Sequence, residues 1–355
     1  MRIMKDVLAS KIAKLKPIVP RTSTMQVLQG ILVSNGMMTA TNMDLTIKTI
    51  LDGADKQEKM IIPAAAFDLI ANLPSGMMEI TGDIDCIRIR MDSIVNEFST
   101  ISPDTFPLSD NDEGEEAVTI DAEELRRHLE HVLWAVSKKD GNMAILRGLC
   151  IDCKDGDANF IGLDGYSVAW DKVPNSGTAK LVIPRESIEA LLKLDLIGDV
   201  QIMQNKLHST FRCGDYIVET RLIEGNYPEY RNFFREDGSG KEVTISRDVL
   251  LKAIKRASLC GEVKTALVLS FEGPTLTVRM NSTKSKYQEC LLLEKEAEGA
   301  FEIAFNPAYL EANLRAFNSD SIVMKIGDAS RFMILRDGSA FKTMTLPVHL
   351  NNGSK

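Results

Sequence analysis

Three segments of the chain share the hydrophobic pattern of an amphipathic helix. In each of them two apolar residues lie four positions apart, and polar residues fill most of the places between them. Residues four apart lie on the same helix face, so each segment is predicted to be a helix with one buried face. The segments are DVLASKIAKL, EELRRHLEHVL and DVLLKAIKRASL, and the apolar pairs are Leu8 with Ile12, Leu125 with Leu129, and Leu250 with Ile254.

A second helix is predicted later in each of these three stretches, and each begins beside a proline. Proline suits the first turn of a helix, because the amide hydrogen that it lacks would have no partner there. The prolines lie 121 and 123 residues apart and are Pro63, Pro184 and Pro307. This spacing indicates an internal repeat.

Alternating apolar and polar residues, typical of strands, return at the same distance. The stretch LQGIL at 28–32 corresponds to LRGLC at 146–150, and TATNMDLTI at 39–47 corresponds to FIGLDGYSV at 160–168. In the third copy LVLSF, TLTVRM and QECLLL take the matching places. A proline after an aromatic residue or a leucine closes each copy, at Phe106-Pro107, Tyr227-Pro228 and Leu346-Pro347.

The chain is therefore predicted to contain three copies of one unit. Each copy has the order helix, several strands, helix, several strands, so each half contributes one helix and about four strands. Helices on one face of antiparallel sheets make an α+β fold. The predicted domains are residues 1–118, 119–241 and 242–355. Solvated linkers are expected at 109–124, which is strongly acidic, and at 235–242, which is polar and rich in glycine.

The composition is that of a globular protein with more than one domain: 355 residues, 44% hydrophobic and 26% charged. No apolar run approaches the roughly 18–20 residues that span a bilayer. The first residues, MRIMKDVLASKIAKLK, contain no continuous apolar block, so they are predicted to form a helix rather than a signal peptide. We expect a cytoplasmic protein without a membrane partner.

The net charge of −8 argues against a nucleic-acid partner only until its distribution is considered. The first helix of every copy ends in basic residues, although the rest of the chain is acidic. Two interpretations fit: solvated residues that complement the helix dipole, or a shared surface that faces phosphates. The residues concerned are Lys11, Lys14, Arg21, Lys138, Lys139, Lys252, Lys255 and Arg256.

The candidate catalytic and metal-binding motifs in the sequence lack residues that such sites require. Cys150 and Cys153 form a C-x-x-C without a second pair, and in a strand this spacing directs the thiols to opposite faces. His128 and His131 share a helix face, but no third metal ligand is evident, so we expect solvated helix residues. Asp164 beside a glycine indicates a turn. With no catalytic constellation in the sequence, a non-catalytic protein without a cofactor or metal is predicted.

The chain resembles the bacterial DNA polymerase III β subunit, the sliding clamp, over its whole length. The matching residues are the three helix openings, LRGLCIDC followed by GLDGYSVAW, EGNYPEYRNFF, and MTLPVHL. The resemblance implies three domains of the DNA-clamp fold and a head-to-tail homodimer that closes into a ring around double-stranded DNA. Such a ring is loaded by an ATP-driven clamp loader, tethers the replicative DNA polymerase for processive synthesis, and also docks repair proteins.

In the family, a pocket between the second and third domains binds short linear peptides from these partners. The resemblance also implies that Arg21 and the Lys138-Lys139 helix end face DNA, and that Phe98 and Leu259 lie in the dimer interface. By position, the pocket would be lined by Leu146, Leu163, Gly165, Tyr166, Val168, Pro228, Asn232, Phe233, Met344, Leu346, Pro347, Val348 and Leu350.

The chain departs from the family pattern at the rim of this pocket. Family members commonly carry Asp-Gly-His-Arg-Leu where this chain has Asp-Gly-Tyr166-Ser167-Val168, and Asn232 takes a place often filled by arginine. The altered rim supports an alternative hypothesis, a clamp-like scaffold of plasmid, phage or paralogous origin. Such a scaffold gathers partner proteins through its pocket but does not encircle chromosomal DNA.

Overall fold

One order of elements, a strand, a helix and three strands, occurs six times in the described part of the chain. It confirms the predicted α+β fold, with one helix and four strands in each half of each copy. The structure is a computed structural model that describes residues 1–53, 59–83, 85–108, 114–138, 143–235, 240–262, 265–327 and 332–348.

The first copy is built from these elements: β1 (Arg2–Met4), α1 (Lys5–Leu15), β2 (Gly30–Ser34), β3 (Met37–Thr41), β4 (Leu45–Ile50), β5 (Lys59–Pro63), α2 (Phe67–Asn72), β6 (Met77–Gly82), β7 (Cys86–Met91) and β8 (Ile94–Ser99). The second copy contains β9 (Glu115–Asp121), α3 (Ala122–Leu133), β10 (Gly148–Lys154), β11 (Asp157–Leu163), β12 (Ser167–Pro174), β13 (Ala179–Pro184), α4 (Arg185–Leu191), β14 (Asp199–Gln204), β15 (His208–Cys213) and β16 (Tyr216–Arg221).

The third copy repeats the same order: β17 (Lys241–Ser246), α5 (Arg247–Ser258), β18 (Leu267–Glu272), β19 (Thr275–Asn281), β20 (Lys286–Leu292), β21 (Phe301–Phe305), α6 (Pro307–Arg315), β22 (Ser321–Ile326), β23 (Met333–Arg336) and β24 (Lys342–Thr345). No helix among the described residues is long and apolar enough to cross a membrane.

The chain folds into two compact units. Unit 1 consists of Met1–Arg126 and Glu186–Ile223. Its four-stranded sheet has the order β1-β6-β7-β8, and its eight-stranded sheet has the order β5-β2-β3-β4-β16-β15-β14-β9. The pairing of β4 with β16 is antiparallel, and it continues the larger sheet from the first copy into the second.

Unit 2 consists of Arg127–Arg185 and the described residues from Glu224 onward. Its sheets have the orders β13-β10-β11-β12-β24-β23-β22-β17 and β20-β19-β18-β21. Here the antiparallel pairing of β12 with β24 joins the second copy to the third. Because each eight-stranded sheet takes strands from two copies, the compact units cut across the repeats. The division into domains 1–118, 119–241 and 242–355 stays a prediction.

The apolar pairs that predicted the first helix of each copy are buried. All six side chains belong to the core, which fits an amphipathic helix with one face against a sheet. They are Leu8 and Ile12 on α1, Leu125 and Leu129 on α3, and Leu250 and Ile254 on α5.

The three repeated prolines do not share one structural position. Pro307 is the first residue of α6, as predicted, and the Asn306 side chain caps that helix. Pro63 and Pro184 instead end β5 and β13, one step before the helical turns that follow. Both strands are at the edges of their sheets, where a proline removes no ladder hydrogen bond that the sheet needs.

The prediction of a linker at 109–124 is wrong for most of its length. Glu115–Asp121 form β9, which pairs with β14, and α3 follows immediately. From Val118 to Asp121 buried and exposed residues alternate as in other half-buried strands, but the acidic content of β9 concealed that short pattern. Residues 109–113 and 236–239 lie outside the described residues, and Lys241 already begins β17.

Candidate functional site

Three apolar residues lie side by side in unit 2 at the end of β12. Val168 on β12 is paired with Leu163 on β11 and with Met344 on β24. Cross-strand partners point to the same face of a sheet, and all three side chains are buried. They form an apolar floor at the junction between the second and third copies. Leu146, in the turn before β10, is buried as well.

The segment after β16 covers the same face of the sheet. Trp170 is two residues after Val168 on β12, so both side chains share one face. Tyr230 and Phe234 pack on Trp170, with ring centroids 5.2 and 5.4 Å away. The Nζ atom of Lys342 lies 4.0 Å from the centre of the Trp170 ring.

Three predicted pocket residues belong to this covering segment, and the structure leaves them partly or fully open to solvent. Pro228 and Phe233 are half-buried, and Asn232 is exposed. Of the two adjacent phenylalanines, Phe234 rather than Phe233 packs on Trp170. Leu350 lies outside the described residues.

The rim of the floor is formed by Tyr166 and the residues after β24. The amide of Leu346 donates a 2.9 Å hydrogen bond to the Tyr166 carbonyl, which fixes the chain beside the floor. Leu346 and Val348 are exposed, Pro347 is half-buried, and Tyr166 is 55% exposed. An open cleft edged by apolar and aromatic side chains suits an extended peptide with one or two apolar anchors.

Tyr309 on α6 is a rim residue that sequence reasoning missed. Its ring stacks on that of Tyr166, with centroids 5.6 Å apart and planes 25° apart. The two tyrosines are far apart in the sequence, and no local pattern links them. Only the pairing of β12 with β24, against which α6 packs, brings them together.

The turn before Tyr166 is held by Asp164. Its Oδ1 accepts hydrogen bonds from the amides of Tyr166 (2.9 Å) and Ser167 (2.8 Å). Gly165 has a φ of 92°, which favours glycine, and a Cβ there would meet nothing within 4 Å. The predicted turn is confirmed, and it leaves open space beside Tyr166.

Unit 1 contains the same turn, between β3 and β4. Oδ1 of Asn42 accepts hydrogen bonds from the amides of Asp44 (3.0 Å) and Leu45 (2.8 Å). Asn42 is therefore equivalent to Asp164, and residues 39–47 correspond to 161–169. The predicted correspondence with 160–168 is wrong by one residue.

With this register, the three floor residues of unit 2 have polar counterparts in unit 1. The counterparts are Thr41, Thr46 and Glu219, in the same cross-strand arrangement. The hydroxyls of Thr41 and Thr46 are 2.7 Å apart, and Glu219 accepts a 2.5 Å hydrogen bond from Lys48. The repeated backbone thus carries an apolar floor in unit 2 and a polar one in unit 1.

Comparison with known proteins bears on the family to which this architecture belongs. The family model described as the DNA polymerase III beta subunit, central domain, matches residues 119–229. The model of the C-terminal domain of the same subunit matches residues 237–349. Together the two models match more than half of the chain, in the order that a single subunit requires. The chain belongs to the DNA polymerase III beta subunit family.

Relatives that match most of the chain are named beta sliding clamps. The chain is 25% identical over 334 residues to the beta sliding clamp of Rickettsia bellii, covering 86% of each. It is 22% identical over 363 residues to that of Pseudomonas aeruginosa, covering 97% of this chain and 98% of the relative.

Solved structures support the fold. A sliding clamp from Pseudomonas aeruginosa bound to griselimycin aligns with a TM-score of 0.92 at 20% identity, over 99% of each chain. The sliding clamp from Bacillus subtilis aligns with a TM-score of 0.90 at 22% identity, over 98% of each chain.

In this member of the beta subunit family, two lysines predicted to face DNA are engaged within unit 1. Nζ of Lys11 donates hydrogen bonds to Thr49 Oγ1 (3.0 Å) and Asp215 Oδ2 (3.2 Å). Nζ of Lys14 donates to Asp195 Oδ1 at 2.7 Å. Both ammonium groups are partly buried and tie α1 to the rest of the unit. Of the residues predicted to face DNA, these two lysines are therefore the least available to bind phosphates.

The other basic residues of that set differ in their surroundings. Arg256 is paired with Glu289 on β20 at 2.6 Å. The side chains of four residues are exposed and make no hydrogen bond or ion pair with other described residues: Arg21, Lys138, Lys252 and Lys255. Lys139 lies outside the described residues.

The two residues predicted for the dimer interface lie at or beside sheet edges. β8, which carries the half-buried Phe98, ends the four-stranded sheet of unit 1, and β20 ends that of unit 2. Within the described ranges no strand pairs with the outer side of either strand. Leu259 follows α5, which packs against β20, and this leucine is 86% exposed.

The prediction that His128 and His131 are solvated is wrong. Oδ2 of Asp171 accepts hydrogen bonds from Nδ1 of His128 (2.6 Å) and of His131 (2.7 Å). His128 is buried and stacks on Phe160 at 4.9 Å. Burial by itself raises the pKa of Asp171, but the hydrogen bonds from the two imidazoles outweigh burial and hold this pKa below its ordinary value.

The C-x-x-C cysteines lie on one strand, β10, as predicted. Cys150 and Cys153 are buried and free. Burial raises the pKa of Cys153 to about 11, which keeps its thiol protonated at neutral pH. No cluster of His, Cys, Asp and Glu among the described residues is arranged to hold a metal ion.

Proposed function

We propose that the chain is the subunit of a sliding clamp that encircles double-stranded DNA and tethers the replicative polymerase, without catalysis or a cofactor of its own. Its membership of the beta subunit family carries this proposal, because both family models match in the order of one subunit. The relatives that match 86% or more of the chain are themselves named beta sliding clamps.

The proposed DNA contact is electrostatic and independent of sequence. A ring that slides needs attraction to phosphates but no hydrogen bonds to bases, which would hold it at one place. Exposed lysines such as Lys252 and Lys255 on α5 supply this attraction. The whole chain nevertheless carries a net charge of −8, so the surfaces outside these basic positions are acidic and discourage DNA from binding there.

The proposed dimer is head to tail, with the β8 edge of one subunit meeting the β20 edge of the next. Open edges attract other strands, and a closed ring removes them by pairing. Phe98 on β8 and the exposed Leu259 beside β20 add apolar area to such a seam. The same pairing gives two copies of every site in the ring.

The proposed partner site is the floor of Leu163, Val168 and Met344 with its rim. Peptide segments of the polymerase, the clamp loader and repair proteins would insert apolar side chains there. Burying a leucine or phenylalanine side chain provides about 1.5–3 kcal/mol, so one or two anchors are enough for a reversible contact.

Retention on circular DNA tests the proposal most directly. The protein is loaded on nicked circular DNA by a clamp loader, isolated by gel filtration, and the DNA is then linearised. A topological clamp stays on the circle and is released from the linear form. Equal retention on both forms would favour a clamp-like scaffold that binds partner proteins, and would contradict encirclement.

A further inference from the structure

The rim of the candidate peptide site carries an exposed aromatic surface. Tyr166 and Tyr309 stack on each other, and Tyr166 remains 55% exposed. The face of an aromatic ring is negative and attracts cations. A stacked pair at the edge of a site is therefore suited to the ammonium or guanidinium group of a bound peptide.

A carboxylate lies beside this aromatic surface. The Asp164 side chain is fixed by the two hydrogen bonds that its Oδ1 accepts in the turn. Tyr166 is two residues further along the chain. Burial and the neighbouring charge of Asp164 together raise the pKa of Tyr309, in agreement with the closeness of these groups. The ring faces of the aromatic pair and the carboxylate are all negative, so each of them attracts a cationic group of a ligand.

Three basic residues of unit 2 have contacts of their own within the chain. Lys342 lies over the Trp170 ring, and Arg231 is paired with Asp155 at 2.7 Å. Arg147, next to the buried Leu146, also has a partner within the chain. A peptide bound at the rim meets the stacked tyrosines with the Asp164 carboxylate beside them.

We propose that the partner peptide carries a lysine or arginine next to its apolar anchors, and that this cation lies over Tyr166 and Tyr309 beside Asp164. This inference rests on the proposed function, since it concerns the same peptide site. It adds a charge preference: an acidic residue at that place in the peptide faces a carboxylate and the negative ring faces, and binds more weakly.

Three synthetic peptides test the preference with the full chain. Each contains leucine and phenylalanine anchors in an otherwise Ser/Gly sequence, and they differ at one flanking position, which is Lys, Gln or Glu. Calorimetry at low salt is expected to give the order Lys, Gln, Glu from tightest to weakest. We expect about three- to tenfold between Lys and Glu, shrinking as salt is added.

Two variants locate the effect. Asp164→Asn removes the charge and keeps the acceptor oxygen, and Asn42 already performs the same role in the equivalent turn of unit 1. Tyr166→Leu keeps apolar area but removes the ring. Each is expected to reduce the difference between the Lys and Glu peptides to about twofold or less. The matched control is Asp337→Asn, in the turn at the other end of β24, which is expected to leave the difference unchanged.

The outcomes separate this inference from the proposed function. Equal affinities for the three peptides, or tightest binding of the Glu peptide, would overturn the charge preference while leaving the peptide site in place. A preference for Lys that persists in both variants would also overturn the inference, since the cation would then bind elsewhere. If no peptide binds, the proposed peptide site fails and the inference fails with it.

Discussion

Val168 lies directly opposite Met344, and this pair joins the second copy to the third in the eight-stranded sheet of unit 2. The equivalent pair in unit 1 is Thr46 opposite Glu219, so the same backbone junction is polar there. A buried apolar pair at an open rim favours apolar ligands, whereas paired polar groups do not. The polar junction in unit 1 is therefore an internal comparison for the candidate peptide site in unit 2.

Leu346→Ala is expected to weaken peptide binding. Leu346 is 41% exposed at the rim and has apolar area to bury against a ligand. Removing a leucine side chain from such a contact costs roughly 1–3 kcal/mol, or about 5- to 150-fold in affinity. Calorimetry with the lysine-containing peptide measures this loss.

The control is Leu222→Ala in unit 1, which removes the same side chain from a leucine just after β16, one residue beyond the position equivalent to Leu346; the Leu222 amide donates to the Leu207 carbonyl at 2.7 Å. Its peptide affinity is expected to equal that of the unaltered chain. An equal loss in both variants would mean that the peptide binds elsewhere or that the substitutions act through stability.

The sequence predicted those features that repeat and that depend on local pattern. The helix faces of Leu8 and Leu250 and the turn at Asp164 follow from residues close together in the chain. The predicted alignment of residues 39–47 with 160–168 is wrong by one residue, because it matched similar residue types rather than the turn residues Asn42 and Asp164. Only hydrogen bonds to specific amides reveal which residue shapes a turn.

Contacts between distant residues could not be predicted in the same way. Asp171 is 43 residues from His128, and no periodic pattern connects a strand residue with a helix residue. Tyr309 joins Tyr166 only through the junction of two copies. The strand β9 was missed because its acidic residues, which favour solvent, obscured the alternation of its buried positions.

Leu259→Glu is expected to weaken the dimer. A charge at an apolar seam must be desolvated without a partner, which costs several kcal/mol. Sedimentation of the unaltered chain is expected to give twice 39.3 kDa, and the variant is expected to shift toward the monomer at micromolar concentration.

Ile197→Glu is the control for this change, since Ile197 is 84% exposed in unit 1 and comparably apolar. It is expected to leave the dimer intact. A dimer that survives Leu259→Glu, or that is lost equally in the control, would remove Leu259 from the interface.

Replacing Lys252 and Lys255 by alanine is expected to weaken DNA binding and its dependence on salt. The slope of log affinity against log salt is negative, and each lost phosphate contact reduces its magnitude by about 0.9. Fluorescence anisotropy with a short duplex over a series of salt concentrations measures this slope, whose magnitude is expected to fall by about one to two in the double variant.

Lys11 and Lys14 are expected to behave differently, because Asp215 and Asp195 engage them. Their double alanine variant is expected to lose thermal stability but to keep a salt slope within about 0.5 of the unaltered chain. If the slope instead falls by the same amount in both double variants, the lysines of α1 also contact phosphates.

Asp171→Asn is expected to destabilise the protein at neutral pH. The carboxylate is buried on β12 and accepts hydrogen bonds from His128 and His131, so its loss leaves buried donors poorly matched, at roughly 2–4 kcal/mol. Urea unfolding followed by circular dichroism measures the difference. Asp157→Asn, which removes a partly exposed carboxylate paired with Lys172 at 2.6 Å, is the control and is expected to cost less than about 1 kcal/mol.

The same carboxylate sets a pH dependence of known sign. Its pKa in the folded state lies below the unfolded value of about 3.9, so the folded state holds its proton less tightly than the unfolded state does. The stabilisation is therefore complete above about pH 5 and is lost progressively as the pH falls through 4 toward the folded-state pKa. The unaltered chain and Asp157→Asn should both lose this stability on acidification, and Asp171→Asn should show a shallower decline over the same range. Parallel curves for all three proteins would mean that Asp171 is not held ionised by the histidines.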